Sequence, residues 1–103
     1  YLAVEDFCSA INILLSKGKS QNIYNIGSDH CYKITNIVKK ISKILNKKYK
    51  NNIIFVNDRP FNDKVYKINC NKLKKLNWRP KHKLDNSLID LCNWYKKNIN
   101  LFK

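Results

Sequence analysis

The segment Asp58-Arg59-Pro60-Phe61-Asn62-Asp63 holds the side chains of this 103-residue chain best suited to grip a ligand. Of 21 basic residues only Arg59 and Arg79 are arginine. A guanidinium is a planar fork of donors that pairs two oxygens of a phosphate or carboxylate at once, which an ammonium does not do. An arginine kept in a chain that otherwise uses lysine points to a geometric task, and Arg59, held beside a stiff proline, is the ligand candidate. The other reading ties Arg59 through Asp58 or Asp63 into a structural turn; composition and position leave both open. Asp63 reads as a residue that orients the loop or takes a backbone N–H. Arg79, between Trp78 and Pro80, reads as a stacked structural arginine.

The remaining reactive types offer less. Cys8, Cys31, Cys70 and Cys92 form no C-x-x-C pair, and neither His30 nor His82 completes a zinc ligand set. His30 and Cys31 are neighbours whose side chains diverge, which makes a loop pair of them. Cys8 and Cys92 fall within helical apolar patterns and are expected to be small buried hydrophobes with free thiols. Glu5 and Asp6 open a helix, where carboxylates favour the positive end of the dipole, and Asp6 reads as a cap in preference to a catalyst.

These residues need elements to place them. Phe7, Ala10, Ile11, Leu14 and Leu15 recur at helical spacing over 5–17, with Gly18 as a stop. Residues 22–26 read as a strand closed by Gly27, where the backbone turns sharply. Ile34, Ile37, Val38, Ile41, Ile44 and Leu45 mark a second helix capped by Thr35 or Asn36. Residues 53–56 form an apolar β run ended by Pro60, and 65–68 a short alternating strand. A short helix over 71–76 turns Leu73 and Leu76 inward, and a last helix over 85–98, capped by Asp85 or Asn86, carries a wide apolar band. Trp78, Trp94 and Tyr95 are expected in the core. Helices alternating with strands give an α/β class, and in open α/β sheets ligands bind past strand ends, where the Asp58 segment lies.

The formal charge of +14 invites a nucleic-acid reading. The lysines are spread over the helices instead of gathered in one stripe with interleaved aromatics, and their abundance beside asparagine and isoleucine is what an AT-rich coding sequence produces, so nucleic acid is disfavoured as a partner. No apolar run reaches the roughly 18 residues of a membrane span, and no secretory signal opens the chain. A soluble, cytoplasmic protein with no membrane partner is expected. The chain opens at Tyr1 and can bury one modest core, so it reads as a piece of a longer protein.

Several short strings occur in a fixed order: Val4-Glu5-Asp6, Tyr24-Asn25-Ile26-Gly27, residues 54–63 with the Asp-Arg-Pro-Phe-Asn-Asp segment, residues 72–80 ending Leu76-Asn77-Trp78-Arg79-Pro80, and Asn93-Trp94-Tyr95. In that order they resemble the C-terminal part of nucleotide-sugar 4,6-dehydratases, which are extended short-chain dehydrogenase/reductases. The first two strings are shared with epimerases and decarboxylases of the superfamily; the Asp58 segment and the Leu-x-Trp-x-Pro ending narrow the resemblance to dTDP-glucose and UDP-glucose dehydratases.

The resemblance implies the substrate-binding part of an extended Rossmann-type enzyme, with residues 1–27 packed on a nucleotide-binding domain outside this chain. It implies a tightly held NAD that takes hydride from sugar C4, loss of water across C5 and C6, and return of hydride to C6. The glycine-rich turn, the Tyr-x-x-x-Lys pair and the Asp-Glu pair of such enzymes are not in this sequence. The chain alone is therefore expected to be inactive and to leave NAD to the missing domain. By the same likeness the substrate-binding residues are Arg59, at the nucleotide diphosphate, and Asn62, with Asp58, Pro60 and Phe61 completing the loop. Asn at position 62 leans toward UDP-glucose over dTDP-glucose, and Tyr66 packs behind the loop. A homodimer is implied for the whole enzyme. An epimerase or decarboxylase of the same superfamily is the alternative, and a basic nucleic-acid-binding module a more distant one.

Overall fold

The computed structural model describes residues 1–61, 65 and 67–102. They fall into two compact units, Tyr1–Cys31 with Val65–Leu84, and Tyr32–Lys64 with Asp85–Lys103. The helices are α1 (Val4–Lys17), α2 (Ile34–Ile44), α3 (Asn71–Lys74) and α4 (Leu84–Lys97), with 3₁₀ turns at Tyr49–Asn52 and Ile99–Phe102.

In the first unit the core is Ala10, Leu73 and Trp78, with Leu2, Ile13, Leu14, Ile26 and Leu76 packed around it. Ala10, Ile13 and Leu14 are spaced as one helix face. The expected face of α1 is thus only partly right: Phe7, Ile11 and Leu15 remain exposed, and so does Cys8, which was expected to be buried. The face that closes the core runs through Ala10, whose small side chain admits the Trp78 ring, and it leaves the bulkier stripe on the open side. Trp78 is buried as expected, and its indole N–H donates to Ser9 Oγ at 2.9 Å.

In the second unit Ile37, Ser42, Leu88 and Cys92 are buried. Lys40 Nζ on α2 bonds Asp85 Oδ1 on α4 at 2.5 Å. The Lys39 ammonium lies 5.4 Å from the Tyr49 ring and holds the first 3₁₀ turn against α2. Trp94 and Tyr95, expected in the core, are about half exposed and lean on Phe102 with ring centroids 6.1 and 5.0 Å away.

The caps also differ from expectation. Helix α2 starts one residue after Lys33, whose carbonyl takes the Asn36 and Ile37 amides, so Thr35 and Asn36 lie inside the first turn. Asp85 likewise lies inside the first turn of α4, where it faces the helix dipole and Lys40. Asn46 ends α2 in the left-handed region at φ 53°, and the Lys47 amide reaches back to the Ser42 carbonyl at 2.8 Å, a Schellman closure made with asparagine.

The three expected strands are not formed among the described residues. Residues 22–26 and 53–56 lack a ladder partner there, although their β-rich composition fits an extended segment; Tyr66 of the third lies outside the described residues. Strand propensity measures fit to a pleated, half-covered surface and does not supply the neighbour that the ladder needs. Ile54, Phe55 and Val56 are accordingly at least 77% exposed.

Both glycines are held by space. Neither has a positive φ, so Gly27 makes no left-handed turn. A Cβ at Gly27 would stand 2.7 Å from Ile68 Cδ1, and one at Gly18 would stand 2.4 Å from the Leu14 carbonyl oxygen. Because the obstacle at Gly18 is backbone, Gly18→Ala is expected to destabilise the fold by about 1–3 kcal/mol, measured by urea unfolding; an unchanged midpoint would show that the end of α1 yields freely.

Candidate functional site

The Asp58 segment follows the 3₁₀ turn through a stretch without regular secondary structure that starts with extended backbone at Ile53 and reaches a turn at Pro60. Asp58 Oδ1 accepts the Arg59 backbone N–H at 3.0 Å, which sets the direction of the turn. Arg59 and Pro60 are exposed, and Phe61 projects fully into solvent. Phe61 also has φ 58°, a left-handed conformation that a bulky side chain adopts only at a cost of roughly 1–3 kcal/mol. Strain of this kind persists where surrounding structure or function requires it. Chemically, the turn carries a guanidinium and an aromatic ring two residues apart, both on exposed residues, side-chain types suited to a phosphate ester and an attached ring. Asn62 and Asp63 lie outside the described residues, as does Tyr66, so the structure brings together Asp58, Arg59, Pro60 and Phe61 of the expected set.

A second polar centre stands in the first unit, and sequence reasoning missed its role. The Asp6 carboxylate is 2% exposed and accepts three hydrogen bonds: from the Lys81 amide at 2.9 Å, the His82 amide at 3.0 Å and His82 Nδ1 at 2.9 Å. It is not a cap of its own helix; burial directs it across to the loop that follows α3. Ser9 Oγ, which receives the Trp78 indole, donates to the Asp6 carbonyl at 2.8 Å. Burial alone would push the Asp6 carboxyl up, but the Lys81 amide, the His82 ring and the His82 amide together hold it below its ordinary value. The bond to Asp6 raises the His82 imidazole, against a smaller opposing effect of its own partial burial. His82 and Asp6 are 76 positions apart, and a single sequence carries no signal linking them.

Arg79 has the structural role expected of it, by a different device. Its Nη1 donates to the carbonyls of Lys74 and Trp78 at 2.8 and 2.7 Å, which closes the C-terminal end of α3. Nearby, Lys74 Nζ grips both oxygens of Asp29 at 2.5 and 2.6 Å, and that bond draws the Asp29 carboxyl below its ordinary value.

No family model matches the chain. Among solved structures, the dTDP-glucose 4,6-dehydratase of Bacillus anthracis in complex with NAD superposes with a TM-score of 0.85 at 36% identity, over 96% of this chain and 31% of that one. The sequence is 37% identical, over 95% of its length, to 15% of a trifunctional UDP-glucose 4,6-dehydratase/UDP-4-keto-6-deoxy-D-glucose 3,5-epimerase/UDP-4-keto-L-rhamnose-reductase of Arabidopsis thaliana. It is 30% identical, over its full length, to 31% of the dTDP-D-glucose 4,6-dehydratase of Homo sapiens. The chain thus spans between about a seventh and a third of these relatives. The resemblance to nucleotide-sugar 4,6-dehydratases carried by the ordered motifs is borne out: nearly the whole chain is similar to one part of such proteins.

The Asp6 centre has a defined pH dependence. His82, raised in the fold, contributes stability that is fully present below its ordinary pKa of 6.5 and is lost as pH rises through the folded value. Asp6, lowered in the fold, contributes stability present above 3.8 and lost as pH falls through the folded value. Urea unfolding against pH is therefore expected to show a plateau between these limits, and His82→Gln to flatten the alkaline limb while reducing the acid one only in part, because the Lys81 and His82 amides still hold Asp6. Asp6→Ala, which strands two backbone amides, is expected to cost about 1–3 kcal/mol or more near neutral pH. An alkaline limb unchanged in His82→Gln would contradict the assignment. At the other centre, Phe61→Gly is expected to stabilise the chain by about 1 kcal/mol net of added chain entropy; a loss of stability would show that Phe61 is anchored by packing.

Proposed function

We propose that this chain is the C-terminal, sugar-nucleotide-binding part of an NAD-dependent 4,6-dehydratase that converts dTDP-glucose or UDP-glucose to the 4-keto-6-deoxy sugar nucleotide. The observation that carries the reading is the likeness to dTDP- and UDP-glucose 4,6-dehydratases over nearly the whole chain, at 36% identity and a TM-score of 0.85 for the solved one. On this reading the chain is a portion of an extended Rossmann-type short-chain dehydrogenase/reductase, acting in the cytoplasm as a homodimer. The half-open face of α1 and the apolar run 53–56, exposed and without a ladder partner among the described residues, support it, because both are surfaces that neighbouring structure would cover.

The chain's own residues do not fit NAD. Its two glycines lie nine positions apart, neither has a positive φ, and no glycine-rich turn opens a helix toward a pyrophosphate. NAD, which supplies the hydride chemistry when bound, therefore belongs to the residues beyond this chain. What this chain contributes is the Asp58–Phe61 turn. In the proposed complex Arg59 pairs with the substrate diphosphate, Asp58 sets the turn through the Arg59 amide, Pro60 stiffens it, Phe61 lies against the nucleotide, and Asn62 reaches the substrate from the same loop.

The test is a substitution in the complete gene product. Arg59→Ala is expected to weaken sugar-nucleotide binding by about 2–4 kcal/mol, as for loss of one partner of a charge-assisted pair, read by calorimetric titration with UDP-glucose and dTDP-glucose. Unchanged affinity for both removes Arg59 from the site.

A further inference from the structure

The lysines, set aside as coding drift, have a physical consequence whatever their origin. Residues 30–57 contain seven lysines and neither aspartate nor glutamate. The second unit, which also contains Arg59, carries twelve lysines and arginines against four acids. Lys40 is tied to Asp85, and Lys39 leans on Tyr49. Lys43, Lys47 and Lys48 stand exposed around the C-terminal end of α2, in the same compact unit as the arginine turn. A body of this size is on the order of 25 Å across. At low salt, where the screening length is about 30 Å, every lysine in it acts on an anion approaching Arg59; at physiological salt, where that length is about 8 Å, few do.

We propose that this acid-free lysine segment draws the dianionic diphosphate of a nucleotide sugar toward the Arg59 turn, making substrate capture a salt-dependent step; the proposal rests on the function proposed above. The lysines do not touch the bound substrate. They raise its concentration near the turn and its rate of encounter, by a field that a neutral or acidic segment would not produce. Arg59 supplies the directional contact at the end of that approach.

The experiment follows initial rates of the complete gene product with UDP-glucose, dTDP-glucose and NAD at ionic strengths from about 10 to 150 mM. The expected result is a fall in kcat/KM of about tenfold or more over that range, with kcat nearly constant. The triple variant Lys43→Gln, Lys47→Gln, Lys48→Gln is expected to lose most of that salt dependence and to have kcat/KM lowered severalfold at low salt only. The matching triple substitution to arginine keeps the charge and is expected to behave as the parent. A flat salt profile, or a glutamine variant indistinguishable from the parent, overturns the steering and leaves the proposed function standing. Absence of turnover with both sugar nucleotides overturns the proposed function and the steering with it.

Discussion

The first unit depends on one buried carboxylate. Asp6 has almost no contact with water and is sustained by two backbone amides and an imidazole brought from 75 and 76 positions away. Such an oxygen pair is costly to bury unless its donors are fixed, and the donors are fixed because Trp78, just before them, is packed on Ala10 and bonded to Ser9. Helix α1, the end of α3 and the following loop are thereby locked as one body. The Val-x-Asp and Trp-x-Pro strings, which look independent in the sequence, are the two halves of this lock.

That lock also explains how the residues divide. Arg79 closes α3 with Nη1 of its guanidinium on two carbonyls, so this arginine serves the fold. Arg59 lies in the other unit, in a turn whose neighbour Phe61 has strained backbone and a fully exposed ring. An exposed aromatic side chain at a left-handed φ stabilises neither the turn nor a core within this chain, which is the physical ground on which the turn is proposed as a ligand contact.

The helices could be read from the sequence because a helix satisfies its own backbone, so the 3.6-residue spacing around Ala10, Ile37 and Leu88 carries the information needed. Strands could not be settled that way, since their hydrogen bonds lie with another segment; the run 53–56 has the right composition and remains unpaired among the described residues. The caps were misplaced by one or two residues because Lys33 ends the extended backbone without offering a side-chain bond. Asp6 was read locally, from its place in the first turn, whereas its role depends on burial and on a distant loop. Arg59 was singled out by its rarity, whereas the strain at Phe61 left no sign in the sequence, because phenylalanine does not announce a positive φ as glycine or asparagine would.

The account turns on direct engagement of the 58–61 turn by a sugar-nucleotide diphosphate. Hydrogen exchange of the complete gene product, measured with and without saturating UDP-glucose or dTDP-glucose, tests it most directly. The account predicts slower exchange at the Arg59 and Phe61 amides on binding. Saturation confirmed by calorimetry with no change at either amide would contradict it.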